Sequence, residues 1–311
     1  MKRLIIKLYD LFLSIFVSIA AWILIKYRKR GPENLKLTKN ALNKIGVFPL
    51  IDHYYEPKFN FTENEKDNYQ NRELLSIKLN PSKQIKFLKN LKYEKELLDL
   101  NLKKGSKKFN FYINNGSFEE GDAEIYYQLI RYIKPKKIIE VGSGYSTLIA
   151  MEALKKNNSS TKVNCIEPFE NRWLENLDVE VIRKPLESLK INWKNELECN
   201  DIFFLDSSHV IRPDGDVLKF YLEILPNLKS GVIIHIHDIF TPKNYLPTWT
   251  FDKMRLWNEQ YLLEGILLNS NKYEILLSLN YLKNNYYEEL LKKCPYLKKE
   301  NEPGSIYLRV I

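Results

Sequence analysis

The chain has 311 residues, with 48 Lys and Arg against 39 Asp and Glu and a formal charge of +9, which is enough to bury a sizeable core and excludes a small stapled module. The excess is mostly Lys scattered along the whole sequence, and no basic stripe with interleaved aromatics marks a nucleic-acid surface. Cys165, Cys199 and Cys294 lie far apart and in no metal-like spacing, so they read as reduced core residues of a cytoplasmic protein.

Leu4 to Ile25 is strongly apolar, interrupted by Lys7 and Asp10 and followed by Lys26, Arg28, Lys29 and Arg30. Its uninterrupted part, Leu11 to Ile25, rises about 22 Å as a helix against roughly 30 Å of hydrocarbon, so full spanning needs Lys7 to snorkel and Asp10 to sit near an interface. Lys7, Asp10, Ser14 and Ser18 fall near one helical face, which leaves an in-plane interfacial helix open beside a spanning one, and a buried or partner-packed helix beside both. No small-residue cleavage site follows. The heavier basic cluster after the apolar run places the rest of the chain on the cytoplasmic side of a bacterial inner membrane.

Residues 31–117 read as a helical or irregular lead-in, polar and rich in Lys and Asn, with aromatic clusters at His53, Tyr54, Tyr55 and at Phe59 and Phe61. An amphipathic segment from Ser82 to Leu100 carries Ile85, Leu88, Leu91, Leu97 and Leu98 at helical spacing. Residues 118–311 form the main domain, after residues 1–30 as an anchor. It opens with a helix from Asp122 to Ile133, stopped by Pro135. Strands are expected at Lys137–Val141, Lys162–Glu167, Val179–Arg183, Asp201–Asp206 and Gly231–His237, with helices over Ser146–Lys156 and Asp216–Leu225 between them. A helix over Phe251–Leu268, a strand over Tyr273–Leu277, a helix over Asn284–Lys293 and a strand over Ser305–Val310 complete it. Alternating strands and helices give an α/β fold, a Rossmann-like doubly wound sheet of about seven mostly parallel strands with an antiparallel edge strand.

The first strand runs into EVGSGYST, where Glu140, Gly142, Ser143, Gly144, Ser146 and Thr147 open a strand-to-helix crossover. Close-spaced glycines let a nucleotide-like ligand approach backbone at a helix N-terminus. Thr147 stands where a dinucleotide fingerprint wants its third glycine. Glu167 ends the next strand about 20 residues on, where a carboxylate takes a ribose diol.

Asp206, Ser207, Ser208, His209 follow the fourth strand and His235, Ile236, His237, Asp238 end the fifth, so both carry polar groups to the crevice over the strand ends. Alternation with Ile236 packs His235 inside the sheet layer. His209 or His237 can accept a hydroxyl proton. Alternatively, Asp206 and Asp238 with His237 can hold a divalent cation, Mg or Mn, that polarises a hydroxyl. Asp214 and Asp216 form an Asp-x-Asp, which reads either as a turn leading into a helix or as the metal holder of a sugar-nucleotide glycosyltransferase. Asn258, Glu259 and Gln260 are candidates to face a substrate.

EVGSGYST, CIEP, DIFFLDSSHVIRPDGDV, LPNLKSGVIIHIHDIFTPKNYL and WNEQYLL together resemble the bacterial class I S-adenosylmethionine-dependent methyltransferases with a methyltransferase-24 type domain, over about Phe118 to Leu268, with HYYEP near His53 and EPGS near Glu302 in the same pattern. The resemblance implies S-adenosylmethionine over Glu140, Gly142 and Gly144, its ribose on Glu167, its adenine flanked by Pro185 and Leu186, and Asp206 beside it. Related O-methyltransferases that use a metal have an acid after the fourth strand and paired acids after the fifth; here the pair is His237 and Asp238, a departure from the pattern that a Mg site would need. The expected activity is O-methylation of a hydroxyl on a sugar, cell-envelope or secondary-metabolite intermediate, the acceptor being a small molecule or a glycan- or lipid-linked one. A membrane-tethered binding protein without turnover is the remaining class.

Overall fold

The computed structural model describes residues 2–51, 56–57, 69–100, 102 and 111–311. His53, Tyr54, Tyr55, Phe59 and Phe61 lie outside the described residues. The chain divides into two compact units, Met1–Asn68 and Tyr69–Ile311.

In the first unit, helix α1 (Lys2–Arg30) is continuous through Lys7 and Asp10 and ends in Arg28, Lys29 and Arg30. It is long and apolar enough to cross a membrane. A 3₁₀ turn over Pro32–Asn34 leads to α2 (Lys36–Ile45), which stops where Gly46 takes φ 83°, a conformation glycine adopts freely.

The second unit is built on seven strands: β1 (Lys137–Val141), β2 (Lys162–Ile166), β3 (Glu180–Ile182), β4 (Ile202–Leu205), β5 (Ile233–Ile236), β6 (Tyr273–Ser278) and β7 (Ile306–Val310). Their order is β3-β2-β1-β4-β5-β7-β6, with β7 antiparallel to both neighbours and the first five strands parallel. The expected Rossmann-like architecture is therefore present, and the order reverses between β1 and β4, where open α/β sheets take their ligands. β4 and the paired part of β5 are wholly buried, as strands covered on both faces must be. One core layer holds Ile138, Cys165, Phe204 and Tyr307, and the other Ile139, Val141, Phe203 and Leu205.

The helices that matter for the site are α5 (Asp122–Ile133), α6 (Tyr145–Asn157) and α8 (Glu259–Asn269). Ser82–Leu100 is two helices, α3 (Pro81–Asn90) and α4 (Glu94–Asp99), because Leu91 turns extended. Both belong to the second unit: Gln84 Oε1 accepts from Ser278 N of β6, and Glu96 accepts from both Nε and Nη2 of Arg131 on α5. Helix α7 is regular only over Asp216–Leu218 and widens to a π-helical stretch over Lys219–Ile224. The expected helix over Phe251–Leu268 is not continuous. A π turn over Thr248–Asp252 is followed by a left-handed Met254 (φ 51°), and α8 starts only at Glu259. The helix over Asn284–Lys293 likewise resolves into α9 (Leu279–Asn285) and α10 (Tyr287–Leu291). Cys165 and Cys294 are buried, but Cys199 is exposed rather than in the core.

Candidate active site

Register places the functional loops side by side. Val141 pairs with Leu205 and Leu205 with Ile236, so the residues that leave β1, β4 and β5 (Gly142, Asp206 and His237) emerge as neighbours over the switch point. Gly142 is required there. At φ 78°, a Cβ on it would sit 1.7 Å from the carbonyl oxygen of Asp206.

A cleft of about 330 Å³ opens over these ends, lined among others by Gly142, Glu167, Phe169, Pro185, Leu186, Asp206 and Ser207. Five of the residues expected to hold a cofactor therefore border it: Gly142, Glu167, Pro185, Leu186 and Asp206. The other five, Glu140, Ser143, Gly144, Ser146 and Thr147, lie behind it and shape the loop. Glu140 is fully buried. It accepts from Tyr126 Oη at 3.1 Å and from Thr147 Oγ1, whose oxygen in turn accepts from Gly144 N at 3.2 Å. Burial pushes the Glu140 carboxyl up to about 7 against the pull of those two hydrogen bonds. Glu167 braces the loop from the other side, with Oε1 accepting from Phe169 N and Glu170 N at 2.9 and 2.8 Å, while Oε2 has only a long 3.4 Å contact from Ser143 N. That leaves Oε2 acceptor capacity for hydroxyls in the cleft.

A second cleft, also about 330 Å³, shares Asp206 and Ser207 with the first. His209, His237 and Asp238 line its floor, Glu119, Glu120 and Glu302 one part of its wall, and Trp249, Lys253, Arg255 and Trp257 another. Four groups interlock on the floor. His209 Nε2 lies 3.2 Å from Asp206 Oδ1 and 3.5 Å from Asp238 Oδ2; His237 Nδ1 lies 3.4 Å from Asp206 Oδ1 and 3.5 Å from Asp238 Oδ1. Both His209 and Asp238 adopt positive φ, 57° and 60°. Each non-glycine residue held there costs of order 1 kcal/mol, and such strain gathers at functional sites.

The surroundings fix each imidazole. His209 Nδ1 meets the fully buried Glu259 Oε2 at 2.8 Å, and Tyr221 Oη donates to the other oxygen of that carboxylate at 3.1 Å. His237 Nε2 faces Asp122 Oδ2 at 3.5 Å. Asp122 is anchored by Gly304 N and Ser305 N at 3.1 and 2.8 Å, which accounts for EPGS. Burial alone would strip a proton from either ring. For His209 the hydrogen bonds with Asp206 and Glu259 outweigh it and hold its pKa up to about 10. For His237 the charges of Asp238 and Asp206 outweigh burial and raise it too. In Asp206 burial is overcome by the charge of His237 and by the close approach of both rings, so its carboxyl stays far below the usual range.

His235 is interior, as alternation implied: its ring stacks on Tyr307 at 4.2 Å, its Nε2 pairs with Ser305 Oγ at 2.8 Å, and burial drives its pKa down. Asp216 is engaged at the head of α7, accepting from Ser208 N and Ser208 Oγ at 2.8 and 2.7 Å, the turn-and-helix arrangement. Asn258, Glu259 and Gln260 do not line either cleft. Asn258 accepts from Ile211 N, Glu259 supports His209, and Gln260 bonds Phe240 N and Lys243 O. Phe169, Arg255 and Trp257 escaped the sequence reading. Only Phe169, an apolar residue just after a strand-end acid, carried a signal.

Residues 139–239 match the family model described as a methyltransferase domain. A protein of Archaeoglobus fulgidus that carries the name "uncharacterized protein" is 32% identical over 169 residues, covering 50% of this chain and 76% of its own. The chain carries an S-adenosylmethionine-dependent methyltransferase domain. Among solved structures, this methyltransferase resembles an O-methyltransferase from Bacillus cereus in complex with SAH (16% identity, 72% of this chain and 91% of that one, TM-score 0.41). It also resembles a putative caffeoyl-CoA O-methyltransferase from Staphylococcus aureus (15% identity, 70% and 98%, TM-score 0.41). The methyltransferase's own first cleft suits an adenosyl cofactor: glycine is the sole residue that fits at position 142, and Glu167 keeps a carboxylate oxygen available at the cleft edge.

Proposed function

We propose that the protein transfers a methyl group from S-adenosylmethionine to a hydroxyl bound in the second cleft. The observation that carries this reading is that the two clefts meet at Asp206 and Ser207, so donor and acceptor approach each other across one strand end. Glu167 takes the ribose, Pro185, Leu186 and Phe169 flank the adenine, and Gly142 admits the ligand to the backbone. The bound cofactor supplies an electrophilic methyl group on a sulfonium. The protein then has to orient a hydroxyl in line with it and remove the hydroxyl proton.

His209, His237, Asp206 and Asp238 form that proton-handling set. With raised pKa values, both imidazoles stand protonated beside the two aspartates, and a protonated ring is no base. Asp206, His209 and Asp238 present one ligand atom each within 4.8 Å of one another, a mixed set that suits Mn as well as Mg. His237 Nδ1, buried and without a hydrogen bond of good geometry, sits against two of these groups. Asp206, His209 through Nε2 and Asp238 would hold such a cation, and it would supply Lewis acidity toward the hydroxyl. The Glu259 carboxylate keeps the proton of His209 on Nδ1, as outer carboxylates do for ligating histidines. With the carboxylate charge so offset, His237 Nδ1 would be the position that takes the hydroxyl proton, with Asp122 behind Nε2.

For location, the basic end of α1 supports an anchor in the bacterial inner membrane with the catalytic unit on the cytoplasmic face, where a small-molecule or a glycan- or lipid-linked envelope intermediate would be the acceptor. An engaged Asp216 and the methyltransferase domain both weigh against the glycosyltransferase reading. The test is transfer of labelled methyl from S-adenosylmethionine to a membrane extract, with Glu167→Ala and Asp206→Asn controls and with chelator. Transfer that survives Asp206→Asn refutes the site assignment, and transfer indifferent to chelator removes the cation.

A further inference from the structure

The wall of the second cleft says what kind of acceptor it takes. Arg255 sits with its guanidinium carbon 4.7 Å from the ring centre of Trp249 and 4.3 Å from that of Trp257. The two indoles meet edge to face at 5.2 Å, so the guanidinium occupies the angle between them. Four other arginines of this unit are committed to carboxylates, Arg72 to Glu264, Arg131 to Glu96, Arg183 to Glu175 and Arg212 to Asp216, and of the unpaired ones only Arg255 lines the second cleft. Arg255 has no carboxylate partner among the described residues, and its backbone N donates to Trp249 O at 2.9 Å to close the turn that the left-handed Met254 makes. The turn thus holds a planar, permanently charged fork whose donors meet no acceptor among the described residues, and Lys253 lines the same cleft. Such a fork is suited to bidentate contact with a carboxylate or phosphate. Trp257 also touches the His209 ring at 4.2 Å, so the guanidinium stands one indole away from the proton-handling floor. Elsewhere in the lining, Glu119, Glu120 and Glu302 repel an anion and accept from hydroxyls.

We propose that the acceptor is a polyhydroxylated anion, a sugar-like ring bearing a phosphate or carboxylate, and that Arg255, assisted by Lys253, selects it by its charge. The inference rests on the reading of this cleft as the acceptor site. The charge distribution sets a direction: the anion goes to Arg255, the hydroxyls go to the carboxylate wall and the Asp206 floor, and the C–H face of the ring lies against indole.

The test uses the full chain in lipid nanodiscs loaded with SAH, titrated with glucose 1-phosphate, glucuronate and glucose, and read by calorimetry and tryptophan fluorescence. One or both anions are expected to bind at least tenfold more tightly than glucose, and the stronger of the two identifies phosphate or carboxylate as the preferred group. Arg255→Gln should abolish that preference while leaving SAH affinity and the melting temperature unchanged, and Arg255→Lys should restore part of it, supplying charge without the fork. Equal binding of glucose and both anions, no binding of either anion, or an unchanged preference in Arg255→Gln overturns the proposal. Loss of SAH binding with the anion preference retained would count against the donor site and leave this proposal standing.

Discussion

Replacing Gly142 by Ala is the sharpest test of how the site is assembled. The added Cβ would stand 1.7 Å from the Asp206 carbonyl oxygen, against the 3.4 Å or more of ordinary contact. One strand end must therefore retreat by roughly 1.5 Å, and since both partners are backbone no side chain can swing aside to absorb it. The left-handed φ adds about 1–2 kcal/mol for a residue with a Cβ. With the clash, a loss of about 3 kcal/mol is expected, which for a domain of this size is a fall in melting temperature of about 6–12 °C. The larger effect is functional. Asp206 belongs to both clefts, and a displacement of about 1 Å at a reacting centre can cost about a hundredfold in rate, so kcat/KM should fall at least that far and calorimetric SAH affinity at least tenfold. Gly265→Ala serves as the control: nothing lies within 4 Å of its Cβ position in α8, and alanine there should add about 0.5–1 kcal/mol. SAH affinity within twofold of wild type in Gly142→Ala, with an unshifted melting curve, would refute the close-approach argument.

Three further outcomes follow from particular contacts. Glu259→Leu leaves a buried imidazolium and the Tyr221 hydroxyl without their carboxylate and should cost about 3–5 kcal/mol in urea denaturation, with Glu259→Gln losing less; a wild-type midpoint in the leucine variant would mean that Glu259 does not hold His209. The Glu140 carboxyl, raised by burial to about 7 in the folded state, contributes stability that is complete below its unfolded value and is lost as pH rises through 7. Glu140→Gln should therefore gain on wild type by roughly 2–3 kcal/mol between pH 5 and pH 8, and parallel stability profiles for the two proteins would contradict this. Finally, the full chain should stay with membranes through alkaline carbonate washing, whereas a chain lacking residues 2–30 should be released and still bind SAH; retention of the shortened chain would move the anchor elsewhere.

The seven strands were legible as apolar runs, the first five each ended by a polar or glycine residue, and a strand buried on both faces, as β4 and β5 are, has little else it can be. The convergence of Asp206, His209, His237 and Asp238 was legible too, since parallel strands deliver their ends to one rim. What failed was the stretch from Phe251 to Leu268. Its aromatic spacing looked helical, but Trp249 and Trp257 are placed by packing around Arg255 and His209, and Met254 takes a conformation no propensity scale anticipates. Glu259 was misread for a related reason. A carboxylate on an apolar helix looks like a group facing a substrate until the imidazole it holds, fifty positions earlier in the chain, is brought against it. The split between Gly142 or Glu167, which face the cleft, and Glu140 or Thr147, which stand behind it, depends on side-chain direction that spacing alone does not carry.

The position of β7 bears on how the protein is made. The last strand lies between β5 and β6, and the segment just before it supplies the amides of Gly304 and Ser305 that hold Asp122. Until that segment leaves the ribosome the sheet has a gap in its interior and the proton-handling floor lacks a support. At typical elongation rates, α1 emerges some tens of seconds earlier. In the membrane-anchored reading the chain is delivered to the bilayer while its catalytic unit is still open, so docking precedes activity by order of synthesis alone.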